Sequence, residues 1–135
     1  LFLFVVVVCI STDVGGYIFG KTFKGPQLTK ISPNKTISGM FGSYILSLIS
    51  IILFTIVVQI FFQLRFELNV QIIIITILIS SISQIGDISI SYFKRLSKIK
   101  NSGNLIPGHG GILDRIDGML FAFPFSCLIF LLFKL

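Results

Sequence analysis

Of 135 residues, 54% are hydrophobic and only 12% charged, a balance that excludes an ordinary water-soluble domain and indicates an integral membrane chain. Eleven Lys and Arg against five Asp and Glu give a net charge of +6. The basic residues are interleaved with apolar runs instead of forming a soluble basic face, which argues against nucleic acid as a partner.

The first apolar run, 1–10, is shorter than the roughly 20 helical residues needed to cross a hydrocarbon core. No basic region precedes it, so a signal peptide does not fit, and the expectation is a partial N-terminal span whose upstream helices are missing. Cys9 here and Cys127 near the other end each stand alone in an apolar run, so neither a thiolate zinc site nor a disulfide framework is indicated. A polar stretch follows, carrying Lys21, Lys24, Lys30 and Lys35.

The second segment, 38–62, is long enough to span with some tilt. Gly39, Ser43, Ser47 and Ser50 fall on one of its faces, a spacing of small residues that lets a neighbouring helix approach closely. A near-neutral connection at 63–69 leads to a third segment, 70–93, and the fourth runs over 116–135. The expected fold is therefore all-α, a polytopic transmembrane bundle of about three full spans plus the partial one.

A second basic group, Lys94, Arg95, Lys98, Lys100 and Arg115, lies two spans away from the first, which puts both on one side of the membrane. Such clusters mark cytoplasmic loops and contact anionic lipid headgroups.

At 100° per residue, Ser80, Gln84, Asp87, Ser91, Lys94 and Lys98 of the third segment share a stripe about 80° wide, opposite Ile, Val and Phe. A lipid-facing helix needs no such stripe, so it should face protein or a water-filled cleft. Asp87 lies about 10 Å deeper along the axis than Lys94. A carboxylate at that depth requires either an ion pair with a lysine of another helix or a role as a Mg²⁺ ligand or proton-handling group.

Asp114 and Asp117 stand three apart on one face of the first turn of the fourth helix. Helix capping accounts for one carboxylate there but less well for two. Just before them runs Ile106-Pro107-Gly108-His109-Gly110-Gly111, whose glycines let the backbone turn and aim amides at an anion. His109, set among glycines in a polar loop, has little core to pack into. If the third and fourth helices lie side by side, Asp87, Asp114 and Asp117 converge, and the Lys/Arg cluster is placed to hold phosphates. Mg²⁺ takes carboxylate and phosphate oxygens, so this is equipment for phosphoryl or nucleotidyl transfer, often with two metals.

Ser91, Lys94-Arg95, Lys100-Asn101, Pro107-Gly108-His109-Gly110-Gly111, Asp114-Arg115 and Asp117 reproduce a known spacing. It resembles the signature of the phosphatidate cytidylyltransferase (CDP-diacylglycerol synthase) family. Asp13, Gly16-Tyr17, Gly20-Lys21 and Ile31-Ser32-Pro33-Asn34-Lys35-Thr36 resemble a second block of that family, and Gly86-Asp87 the pair preceding the signature. The chain departs from the pattern at Val14, Ser38, Ile90 and Asn101; Asn101, where the family has Asp, lowers metal affinity if that position is a ligand.

The resemblance implies that 1–135 is the C-terminal part of a cytidylyltransferase membrane domain. It implies transfer of a cytidylyl group from CTP to phosphatidate, yielding CDP-diacylglycerol and pyrophosphate. Asp87, Asp114 and Asp117 would bind two Mg²⁺ ions and, with His109, carry the catalysis. Asp13, Lys35, Ser91, Lys94, Arg95, Lys100, Gly110, Gly111 and Arg115 would bind the substrates, Lys35 and Asp13 completing the cleft from the first polar stretch. A bacterial inner membrane, cytoplasmic active-site loops and a homodimer belong to the same expectation. The rival readings are a related CTP-dependent lipid kinase or transferase, a transporter using Asp87 as its ion site, and a fragment inactive by itself.

Overall fold

The computed structural model of the chain describes residues 2–29, 32, 35–63, 69–97 and 113–133, and at 62, 113–116 and 133 the backbone alone. Among the described residues four helices follow one another: α1 (Phe2–Phe23), α2 (Ile37–Phe62), α3 (Val70–Leu96) and α4 (Leu113–Phe133). Among the described residues the one extended pairing is an isolated antiparallel bridge between Gln27 and Thr36. α1, α2 over Ile37–Phe61, and α3 are long and apolar enough to cross a membrane; the apolar part of α4, Asp117–Leu132, is shorter. An all-α polytopic bundle is thus the architecture.

Three long apolar helices and one shorter were expected, but the shorter one is α4 and not the first. The first apolar run does not stop at Ile10: α1 continues through Ser11, Thr12, Asp13 and the glycines to Phe23. At 22 residues it is about 33 Å long. The polar segment stays helical because its small side chains are buried against neighbouring helices, which leaves the backbone to bond within the helix. Ser11, Thr12 and Gly15 are all buried.

The α1–α2 contact rests on missing side chains. A Cβ added to Gly15 would lie 2.6 Å from the carbonyl oxygen of Gly42, and one added to Gly39 would lie 2.7 Å from that of Gly16. Gly42 has Phe19 of α1 directly over it. The small-residue face expected on α2 is therefore a packing face, with Gly39, Ser43 and Ser47 buried in it. Its partner on α1, Gly15 and Gly16, could not be anticipated while that stretch was assigned to a loop.

Thr36 starts α2 as its N-cap, its side chain accepting from the Gly39 amide at 3.1 Å. Towards the far end of the bundle the core is apolar: Phe4, Val5 and Val8 meet Ile51, Ile72, Ile75, Ile79, Ala122 and Ile129. Phe4 meets Phe130 edge-on at 6.0 Å and Phe2 stacks on Phe123 at 5.2 Å. Above that layer the contacts turn polar. Ser43 Oγ donates to the Thr12 carbonyl at 2.6 Å, and Thr12 Oγ1 lies 2.9 Å from Ser80 Oγ. These two contacts tie α1, α2 and α3 together directly beneath the acidic residues.

Candidate active site

Between α1 and α2 the chain folds back over the end of the bundle. The Leu28 amide donates to the Lys35 carbonyl at 2.7 Å and the Ile37 amide to the Pro26 carbonyl at 3.0 Å. This return carries Lys35 across to α3, where its Nζ lies 3.1 Å from Asp87 Oδ2. A second pair joins α3 to α4: Lys94 Nζ lies 3.3 Å from Asp117 Oδ2. Side-chain exposures are 30% and 17% in the first pair and 14% and 16% in the second, so neither is a freely solvated surface pair. Both pairs lie at the end of the bundle where α3 finishes and α2 and α4 begin.

Asp13 of α1, Asp87 of α3 and Asp117 of α4 stand within electrostatic reach of one another. They border a single cleft of about 360 Å³ together with Lys35, Ser91 and Gln84. The polar stripe of α3 faces this cleft, as expected: Ser80 is fully buried beneath it, and Gln84, Asp87 and Ser91 line it.

α4 approaches α3 closely at Asp87. A Cβ on Gly118 would lie 2.5 Å from Asp87 Oδ1 and 2.6 Å from Ser83 Oγ. Gly118 was not among the residues singled out from sequence. Its only signal is position: it follows Asp117 directly, on a helix that must pack against the acidic stripe.

Of the residues expected at the site, the structure brings together Asp13, Lys35, Asp87, Ser91, Lys94 and Asp117. Asp13 reaches the cleft from the middle of α1 and not from a loop, which corrects the expected placement. Arg95 is exposed on α3 and is not among the residues that line the cleft. At 100° per residue it points away from its neighbour Lys94, the lysine that meets Asp117. Lys98, Lys100, His109, Gly110 and Gly111 lie outside the described residues, as do the side chains of Asp114 and Arg115. Thr12, Gly16, Tyr17, Leu28, Thr36, Gly39, Met40 and Ser43 also line the cleft without having been assigned to it. Gly39 and Ser43 were legible as helix packing, which is the other half of what they do.

The ion pair weighed as an alternative for Asp87 is present, but it occupies one carboxylate oxygen only. Asp87 Oδ1 is buried with no hydrogen-bond partner, and so is Ser83 Oγ beside it. A buried anionic oxygen without a donor is costly, and a hard cation relieves that cost. Among the described residues no group of three His, Cys, Asp or Glu side chains is placed to hold a metal ion by itself. Mg²⁺ does not require one, because it is commonly held by one or two carboxylates with water and substrate phosphates completing the shell. On donor chemistry, Asp87 and Asp117 fit such an ion.

Fold and cleft together define a polytopic helical membrane protein with a charged cleft, acidic on α1, α3 and α4, lined by Lys35 and with Lys94 paired to its Asp117. The chain belongs to the cytidylyltransferase family, which it matches over residues 1–133. It is 40% identical over 129 residues to a phosphatidate cytidylyltransferase of Bacillus subtilis, covering 95% of this chain and 46% of that protein. With the phosphatidate cytidylyltransferases of Staphylococcus epidermidis and Staphylococcus haemolyticus it shares 42% over 123 residues and 44% over 124. Each of these alignments covers 90% of this chain and 45% of the relative, so the chain spans about half the length of the curated relatives it matches.

Proposed function

We propose that the protein to which these residues belong transfers a cytidylyl group from CTP to phosphatidate. A phosphate oxygen of phosphatidate attacks the α-phosphorus of CTP; the new P–O bond forms as the bond to the β-phosphate bridge breaks, and pyrophosphate leaves. The observation that carries this reading is the meeting of Asp13, Asp87, Asp117 and Lys35 in one cleft, with Lys94 paired to Asp117, in a chain of this family.

Lys35 and Lys94 neutralise phosphate charge, and Asp87 and Asp117 would hold Mg²⁺, with Asp114 and a second ion part of the same assignment. Mg²⁺ bound there would offset the charge of the triphosphate and of the departing pyrophosphate. His109, Lys100, Gly110, Gly111, Arg95 and Arg115 are assigned to the substrate phosphates by motif. Because the carboxylates sit below the ends of α1 and α3, a lipid headgroup reaches them while its acyl chains stay in the bilayer. The reading places the cleft on the cytoplasmic face of a bacterial inner membrane, in a homodimer.

The test uses the complete protein with CTP labelled at the α-phosphorus, phosphatidate and Mg²⁺. Label should enter a lipid product with one pyrophosphate released per lipid, while polyprenyl acceptors give none. Label transferred from the γ-phosphate would make the protein a lipid kinase. Solute flux through sealed vesicles without CTP would make it a transporter. Either result overturns the reading.

A further inference from the structure

We propose that the wall formed by Tyr17, Leu28 and Met40 is the seat of the nucleobase. This inference rests on the function proposed above and deepens it.

The cleft is chemically two-sided. Asp13, Asp87 and Asp117 with Lys35 form one part, whereas Tyr17, Leu28 and Met40 offer an aromatic ring and two apolar side chains free of charge. Tyr17 is 67% exposed, and the Lys21 ammonium lies 5.6 Å from its ring centroid. A ring presented in that way suits a flat heterocycle, because base stacking on an aromatic side chain needs only a free face.

Depth decides between the base and the lipid as occupant. Tyr17 stands one turn beyond Asp13 towards the end of α1, about 6 Å nearer the connection that carries Leu28. The phosphates belong at the carboxylates and lysines, so the group on the Tyr17 side of them lies towards the end where the connections are. That is the side from which a water-soluble nucleotide arrives. The acyl chains stay in the bilayer.

The direct test compares Tyr17→Leu with Tyr17→Phe in the complete protein. Tyr17→Leu should raise KM for CTP about tenfold, the scale of one lost stacking contact. It should leave kcat and KM for phosphatidate within about twofold, and Tyr17→Phe should behave as wild type. A rise in KM for phosphatidate in place of CTP, or no change with either substrate, overturns the inference. If Tyr17→Leu does not fold, photo-crosslinking of the wild type with 5-iodo-CTP decides: the adduct is expected at Tyr17, and one confined to other residues overturns the assignment. A wild type that makes no lipid product from CTP would instead remove the function on which the inference rests.

Discussion

Asp87→Asn is expected to lower CTP-dependent lipid formation at least a hundredfold while the protein still folds. Asn keeps the shape of Asp, so the close approach of Gly118 is undisturbed. What is lost is a negative charge that faces Lys35 on one oxygen and carries a buried, partnerless lone pair on the other. Lys35, 30% exposed at its side chain, turns to water without its partner, which keeps the cost in stability small. The cost in activity is large because the charge is positioned before substrate arrives; removing one preorganised electrostatic contact in an active site costs about 10²–10³-fold. Turnover measured at saturating CTP, beside a thermal-unfolding curve, separates the two effects. Near-wild-type turnover would show that Asp87 is present only for its ion pair.

The Lys94–Asp117 pair should show a marked asymmetry. Both side chains are about one-seventh exposed, so each has lost much of its hydration. Lys94→Met removes the ammonium and strands Asp117 Oδ2, with an expected cost of about 2–4 kcal/mol, near the lower end of the range for breaking a buried pair. Asp117→Asn leaves a lysine whose long stem can carry its charge to water, and should cost about 1 kcal/mol. The double variant should then be more stable than Lys94→Met alone, because Asp117 no longer carries a stranded charge. All three should lose at least a hundredfold in activity, since both groups are assigned to the phosphates and their cation. Additive destabilisation in the double variant would mean the two side chains do not depend on each other.

How far these features were legible in the sequence depends on the element. On α3 the 3.6-residue period separates Ser80, Gln84, Asp87 and Ser91 from an aliphatic face, and the helix packs as that period requires. The small-residue face of α2 was readable for the same reason. α1 was not: Ser, Thr, Asp and Gly look like a loop when taken singly. Only the buried contacts to Ser43 and Ser80 and the glycine seam with α2 show that the helix continues.

The partner of Asp87 was unreadable in a different way. Lys35 lies 52 residues away and reaches α3 only because the connection folds back through Leu28 and Pro26. The contact of Gly118 with Asp87 likewise depends on the distance between two helices, which no local pattern encodes.

Carbodiimide coupling of the native protein, read out by peptide mass spectrometry, tests most directly whether these acids and lysines meet as the structure pairs them. The reagent joins an amine to a carboxylate only when they touch, and the chain offers just five acidic residues. The arrangement predicts amide links between Lys35 and Asp87 and between Lys94 and Asp117, both suppressed by CTP. Links from Lys35 and Lys94 to Glu67 alone, with Asp87 and Asp117 unmodified, would contradict it.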